Sequence, residues 1–205
     1  MTGNRNIRIG GILLAAGGSS RLATPKQFVR FENETLLRRA AFAMAASICY
    51  PVVAVLGAEK ENAEIEMAGT RLKPCLNREW QKGMSSSIKL GLTELLSLDP
   101  GLDAVLITLC DQPFVTAQIL NRLTDTFLQT RKRIVAAKYD DVAGVPAIFA
   151  RDVFDQLLAL EGDKGARELI RDPNASIEAV EIKEAAMDID TFDDLDRLKK
   201  YDHGS

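Results

Sequence analysis

Ile7-Arg-Ile-Gly-Gly-Ile-Leu-Leu14-Ala-Ala-Gly-Gly-Ser-Ser-Arg21 runs from an apolar, β-branched segment directly into small residues. A short apolar run bounded by turn residues is the pattern of a strand covered on both faces. Here the strand empties into a loop with little side-chain bulk. Glycine and alanine let a backbone approach a ligand closely, and successive N–H groups in such a loop can cradle phosphate oxygens. Arg21 and, beyond Pro25, Lys26 add two cations, more charge than a neutral ligand needs. The spacing is neither G-x-G-x-x-G nor G-x-x-x-x-G-K-[ST], which argues against a dinucleotide-binding or P-loop site. A tight strand-to-helix turn with solvated charges is the plain alternative.

Working outward, the same alternation recurs. Thr35 to Ser47 predicts a helix, Pro51 to Leu56 a buried strand, Glu59 to Ala68 a polar helix and Arg71 to Leu76 a shorter strand. Met84 to Leu98 carries Ile88, Leu92, Leu95 and Leu96 at helical spacing. Asp103 to Leu109 is the strongest central-strand signal, and it stops abruptly at Cys110-Asp111-Gln112-Pro113. Thr116 is placed to cap a helix running to about Thr130. Further strands are expected at Arg133–Ala137, Pro146–Phe149 and Ser176–Ile182. Helices are expected at Val153–Leu160, Lys164–Ile170 and Asp193–Tyr201. Strands alternating with helices imply a mostly parallel sheet covered on both faces. In such sheets ligands bind at the carboxyl ends of the strands where the strand order reverses. The loops after Leu14 and Leu109 both fall there, which puts Gly17, Lys26 and Asp111 on one side of the sheet.

The chain has 205 residues, 46% hydrophobic and 27% charged, the balance of one globular domain over residues 1–205. A net charge of −3 argues against a broad nucleic-acid or anionic-membrane footprint. No apolar run reaches the roughly 18–20 residues of a spanning helix, and Met1 to Arg8 has no signal-peptide core. Cys49, Cys75 and Cys110 have no metal-like spacing and fit free thiols in a reducing cytoplasm. The single histidine, His203, stands near the C-terminus, so a histidine triad or zinc site is not expected.

Four other stretches carry chemistry or a bland substitute for it. Asp111, at a strand end before a proline-stiffened loop, is placed to hold Mg²⁺; a helix-capping or turn-forming aspartate is the alternative. Asp188 and Asp190 are two apart and face the same side of an extended segment. One or both could join Asp111 at a metal, though an acidic helix start explains part of that cluster. Trp80-Gln-Lys-Gly83-Met-Ser-Ser-Ser87 offers hydroxyls and backbone to a base or ribose, or simply an N-cap. Gly144-Val-Pro-Ala-Ile-Phe149, with Gly162-Asp-Lys164-Gly-Ala-Arg167 downstream, could meet an anionic second substrate or form a charged surface turn.

Taken in order, L-A-A-G-x-S-x-R-L-x-x-P-K-Q, G-M-x-x-S-I-x-x-G-L, C-D-Q-P, G-x-P-A-I-F, G-D-K-G-A-R and D-I-D-T-x-x-D-L resemble the MobA-like nucleotidyltransferases. They are most similar to the molybdenum cofactor cytidylyltransferase branch. The matches span Leu14 to Leu195. The resemblance implies a Rossmann-like three-layer α/β/α sandwich and Mg²⁺-dependent attack on the α-phosphorus of a nucleoside triphosphate, with pyrophosphate leaving. By motif, Leu14, Ala15, Ala16, Gly17 and Gly18 would hold the nucleotide. Arg21 and Lys26 would neutralise its phosphates in catalysis. Gly83 and Ser87 would lie by base or ribose. Asp111 and Asp190 would hold Mg²⁺, with Asp188 as the substitute.

An acceptor phosphate oxygen, already ionised, needs no histidine base, and phosphoryl-type transfer rests on positioning and charge neutralisation. Ala16 in Leu-Ala-Ala-Gly, together with Pro25-Lys26-Gln27, looks like cytidylyl rather than guanylyl transfer. The chain departs from the pattern at Ala23, Val145 and Phe192, where glycine, histidine and proline are usual; Val145 bears on the acceptor. The expectation is therefore transfer of CMP from CTP to a molybdopterin-type cofactor, with a molybdoenzyme as partner. Guanylyl transfer, a sugar or alcohol phosphate acceptor, and a non-catalytic carrier that delivers a cofactor are the alternatives.

Overall fold

The computed structural model describes residues 7–17, 25–57, 59–172, 174–189 and 194. Nine strands are assigned among them: β1 (Ile9–Ala15), β2 (Arg30–Phe31), β3 (Glu34–Thr35), β4 (Val52–Leu56), β5 (Lys73–Leu76), β6 (Ala104–Leu109), β7 (Ile134–Tyr139), β8 (Val142–Ala150) and β9 (Ile177–Glu181). The helices are α1 (Leu36–Ala46), α2 (Lys60–Glu66), α3 (Met84–Leu98), α4 (Ala117–Thr130), α5 (Phe154–Ala159) and α6 (Arg167–Ile170). Seven strands form one sheet in the order β5-β4-β1-β6-β8-β7-β9, and β2–β3 is a separate small hairpin.

The apolar alternation of each central strand divides the core in two. Leu13, Ala54, Leu56 and Leu106 face Leu37, Met44, Leu120 and Phe127 of α1 and α4. Ile12, Val53, Val55 and Ile107 face Ile88, Leu92, Leu95 and Leu157 of α3 and α5. The result is a three-layer α/β/α sandwich. Gly91 sets how closely α3 lies on the sheet, because a Cβ there would meet Ile12 Cγ2 at 2.8 Å. Thr35 and Thr116 cap α1 and α4, accepting from Arg38 N–H and Ile119 N–H.

Two features differ from the sequence expectation. Strands were expected at Arg133–Ala137 and Pro146–Phe149 with a loop between them. They instead grow toward each other into a hairpin that turns on Asp140 and Asp141, both left-handed at φ 47° and 62°. Aspartate tolerates that conformation, and a two-residue turn forces antiparallel pairing. β8 therefore runs against β6 and β7, while the other sheet neighbours are parallel. The helix expected from Lys164 begins only at Arg167. Gly162 sits at φ +60°, and a Cβ on Gly165 would meet Met84 Sδ at 2.7 Å, so this stretch is pressed onto α3 rather than coiled. The helix expected at Asp193–Tyr201 lies outside the described residues except for Asp194, which is helical. Among the described residues, no helix is long and apolar enough to cross a membrane.

Candidate active site

β4 and β5 add to one side of β1, and β6 and the later strands add to the other. The sheet thus reverses between β1 and β6, whose carboxyl ends lie at Ala15 and Leu109. A crevice opens where two loops part at such a point. The loop after β1 passes Lys26, which begins a 3₁₀ turn (Lys26–Phe28) behind Pro25. Lys26 Nζ crosses the crevice and donates to Asp111 Oδ2 in an ion pair. Gly17 runs alongside, since a Cβ there would meet Lys26 Cε at 3.6 Å.

Asp111 is 5% exposed. Its loop is tied down on three sides. Cys110 N–H donates to Leu14 O at 3.1 Å, and Ile189 N–H donates to Asp111 O at 3.1 Å. Gln112 Nε2 donates to Val145 O and Ala185 O, both at 3.0 Å. Asp111 Oδ1 is buried with no hydrogen-bond partner among the described residues. A buried carboxylate oxygen without a donor is costly unless a cation meets it. An oxygen ligand of this kind fits a hard divalent cation such as Mg²⁺ or Mn²⁺. The Ile189 hydrogen bond, with Ile189 fully buried, brings Asp188 into the same crevice, where it lines a cavity with Asp111. Asp190, expected as the second metal ligand, lies outside the described residues, as do Gly18 and Arg21.

Cys110 is enclosed beside this carboxylate. Burial, and then the charge of Asp111, push its thiol up to about 12. A thiol so far from ionising is neither a nucleophile nor a metal ligand. Cys49 and Cys75 are also buried and free, each raised to about 11 mainly by burial.

Two cavities meet at the ion pair. The first, of about 420 Å³, is lined by Ala16, Gly17, Trp80, Gly83 and Ser87. The second, of about 400 Å³, is lined by Ile88, Val145, Arg167, Arg171 and Asp188. Leu14, Lys26, Met84, Leu109, Asp111 and Asp163 line both. Leu14, Ala16, Gly17, Lys26, Gly83, Ser87 and Asp111 are therefore brought together, as their motifs suggested. Ala15 is not: its methyl packs in the core of the opposite sheet face, leaving only its backbone near the crevice.

The serine-rich start of α3 is not capped by a serine. Gly83 is the N-cap, and no side chain caps that end. Gly83 adopts φ 101° and ψ 177°, a conformation essentially confined to glycine, and a Cβ on it would meet Gly162 O at 2.3 Å. Ser85 Oγ donates to Gly162 O at 2.8 Å, locking this end of α3 to the turn before α6. Asn77 Nδ2 donates to Ser86 Oγ and Ser87 Oγ at 2.9 Å each, while its Oδ1 accepts from Glu79 N–H at 2.9 Å. Asn77 is 4% exposed, and no local sequence pattern marks it. Gln27, also buried and lining the first cavity, carries an Oε1 with no hydrogen-bond partner among the described residues.

The model of the MobA-like NTP transferase domain family matches residues 11–180. Purine catabolism protein PucB of Bacillus subtilis (strain 168) is 26% identical over 202 residues, covering 94% of this chain and 93% of its own. The crystal structure of Rv0371c from Mycobacterium tuberculosis H37Rv superposes with a TM-score of 0.82 at 27% identity, covering 95% of this chain and 98% of that one. A structure of the same protein in complex with manganese gives 0.76 at 26%, covering 94% and 98%. Molybdopterin-guanine dinucleotide biosynthesis protein A from Archaeoglobus fulgidus shares the fold at a TM-score of 0.70 and 16% identity, covering 94% and 97%.

Proposed function

The chain belongs to the MobA-like NTP transferase family, and we propose that it transfers CMP from CTP to a molybdopterin-type cofactor and releases pyrophosphate. The observation that carries this reading is the Lys26–Asp111 pair at the junction of the two cavities. One cavity has the small-residue wall that suits a nucleotide, and the other has the guanidinium groups that suit a phosphorylated acceptor. In the reaction an acceptor phosphate oxygen attacks the α-phosphorus. A new P–O bond forms, the α–β bridging bond breaks, and pyrophosphate departs with the electron pair.

Each residue has a role in that exchange. Leu14, Ala16 and Gly17 hold the nucleotide, with Gly83 and Ser87 by its base or ribose. Lys26, joined by Arg21, meets the negative charge of the phosphates. In the absence of nucleotide the Lys26 ammonium supplies the cationic partner of Asp111. With a nucleoside triphosphate bound, Lys26 would turn to its phosphates and leave the Asp111 carboxylate to hold a divalent cation. Asp111, with Asp190 or Asp188, would hold a divalent cation, whose chemistry there is to neutralise phosphate charge and orient the α-phosphate. The manganese complex of the mycobacterial relative supports a divalent cation as part of the reading. Ala16 lines the nucleotide cavity, and Leu-Ala-Ala-Gly in place of Leu-Ala-Gly-Gly supports cytidylyl over guanylyl transfer.

The test is pyrophosphate release from each of the four ribonucleoside triphosphates, with Mg²⁺ or Mn²⁺ and with molybdopterin as acceptor. CTP turnover dependent on both metal and acceptor is expected. A preference for GTP would overturn the base assignment, and tight CTP binding without turnover under either metal would favour a carrier.

A further inference from the structure

The segments that carry Lys26, Asp111 and Asp188 meet a second time, in a small apolar cluster apart from the two faces of the sheet. Phe31, Leu36 and Ile189 form its buried centre, and Val29, Phe114 and Met187 pack against it. Phe31 and Phe114 meet edge to face, with ring centroids 5.5 Å apart at 77°. The Arg39 guanidinium lies over the Phe31 ring at 4.8 Å. Each charged group stands a few residues from a member of the cluster. Phe31 follows Lys26 by five residues, Phe114 follows Asp111 by three, and Ile189 follows Asp188 directly.

The segment Ala185–Ile189 is clamped across the dipeptide Asp111-Gln112. Gln112 Nε2 donates to Ala185 O at 3.0 Å, and Ile189 N–H donates to Asp111 O at 3.1 Å. The side chains at the two ends anchor in different cores. Ala185 is 1% exposed in the core beneath α1 and α4, and Ile189 is 0% exposed in the small cluster. Met187 is extended, at φ −89° and ψ 109°. In an extended segment successive side chains point to opposite sides. Met187 and Ile189 both pack in the cluster, and Asp188 between them is half-buried and lines the second cavity with Asp111. Ile189 itself lines neither cavity. The hydrogen bonds thus fix where the segment lies, and the buried isoleucine fixes its rotation.

We propose that Ile189 is a positioning residue for the two carboxylates: its burial against Phe31 and Leu36 turns Asp188 toward Asp111 and holds the Asp111 backbone where its side chain faces Lys26. The inference rests on the transferase reading for the divalent cation that these carboxylates would hold. A side chain that only packs changes stability. One that sets the geometry of ligands changes cation affinity as well, and groups that orient metal ligands are worth about ten- to a hundredfold in affinity.

The probe is Mn²⁺ alone, titrated into the full chain and followed by the loss of the free-ion electron paramagnetic resonance signal. Ile189→Ala should weaken Mn²⁺ about tenfold, and Ile189→Val should recover most of that loss. Phe31→Leu, which changes the cluster from another segment, should weaken Mn²⁺ severalfold. Leu123→Ala, a truncation in the core beneath α4, should lower the melting temperature and leave Mn²⁺ affinity unchanged. In pyrophosphate release, Ile189→Ala should need more Mn²⁺ for half-maximal rate, with the nucleotide KM unchanged at saturating metal. Wild-type Mn²⁺ affinity in a folded Ile189→Ala or Phe31→Leu protein overturns the positioning role, as does a wild type that binds no Mn²⁺. Pyrophosphate release by the wild type with those variants unchanged in Mn²⁺ affinity leaves the transferase standing without the clamp. Mn²⁺ binding weakened in Ile189→Ala, with no turnover of any triphosphate by the wild type, overturns the transferase and leaves the clamp intact.

Discussion

The two halves of the crevice are built by different means. The half proposed for the nucleotide leans on backbone, at the end of β1 and at the glycine-confined N-cap of α3, with a buried asparagine aligning two serines beside it. The half proposed for the acceptor is made largely of side chains near an antiparallel hairpin and a one-turn helix, with Tyr139 meeting Arg167 across Gly144. Backbone cannot be moved without disturbing the core beneath it, whereas a side chain can be exchanged on an unchanged scaffold. The nucleotide half therefore couples binding to stability, and the acceptor half separates them. Specificity for an acceptor can change in such a fold while the nucleotide site stays as it is.

Substitutions can break or sharpen that contrast, beginning at the junction. Asp111→Asn removes the charge expected to meet the metal while keeping the shape of the loop. It should lower kcat/KM by about 10³ or more, on the order of 4 kcal/mol of barrier, with the melting temperature changed little. An active Asp111→Asn enzyme would place the metal elsewhere. Lys26→Ala should cost about 10²-fold in kcat, measured by pyrophosphate release at saturating nucleotide.

Gly83→Ala tests the backbone claim. The strained φ and the collision with Gly162 O should reduce stability by roughly 3 kcal/mol, read by chemical denaturation, and raise the nucleotide KM at the same time. A variant that binds nucleotide poorly but unfolds like the wild type would break the contrast. Asn77→Ala leaves the buried Ser87 hydroxyl and the part-buried Ser86 hydroxyl without their donor and should cost about 2 kcal/mol, again with a raised nucleotide KM and an unchanged acceptor KM.

The smallest effect involves no substitution. Cys49 and Cys110 have folded pKa values raised to about 11 and about 12, against an unfolded value of 9.0. For a group raised on folding, the stabilisation is full below the unfolded pKa and is lost as pH rises toward the folded one. Each thiol should thus withdraw about 1 kcal/mol between pH 8 and pH 10, seen as a lower denaturation midpoint. Replacing either cysteine by alanine should flatten that slope.

Much of this was legible along the chain because it depends on local chemistry. Buried parallel strands are written as apolar runs, and thus β1, β4 and β6 fall within two residues of where their side chains put them. Thr35 and Thr116 mark helix starts with the side chains that cap them. Gly17, Lys26 and Asp111 could be placed on one side of the sheet because strand ends and the point of reversal follow from connection rules. The Asp140–Asp141 turn was harder to read, since two aspartates become a hairpin only when the strands beyond them find partners.

What the sequence by itself determined is therefore the layer order, the crevice and the charged groups at its mouth. Each is set by periodicity or by residues adjacent in the chain. What only the tertiary structure decided is which side chains complete the crevice. Asn77 reaches Ser87 of α3 from the end of β5, Tyr139 reaches Arg167 across 28 residues, and Ile189 N–H binds Asp111 O. Those contacts join segments far apart in sequence. Their existence depends on sheet order and on glycines that allow close approach, neither of which is encoded by the residues making the contact.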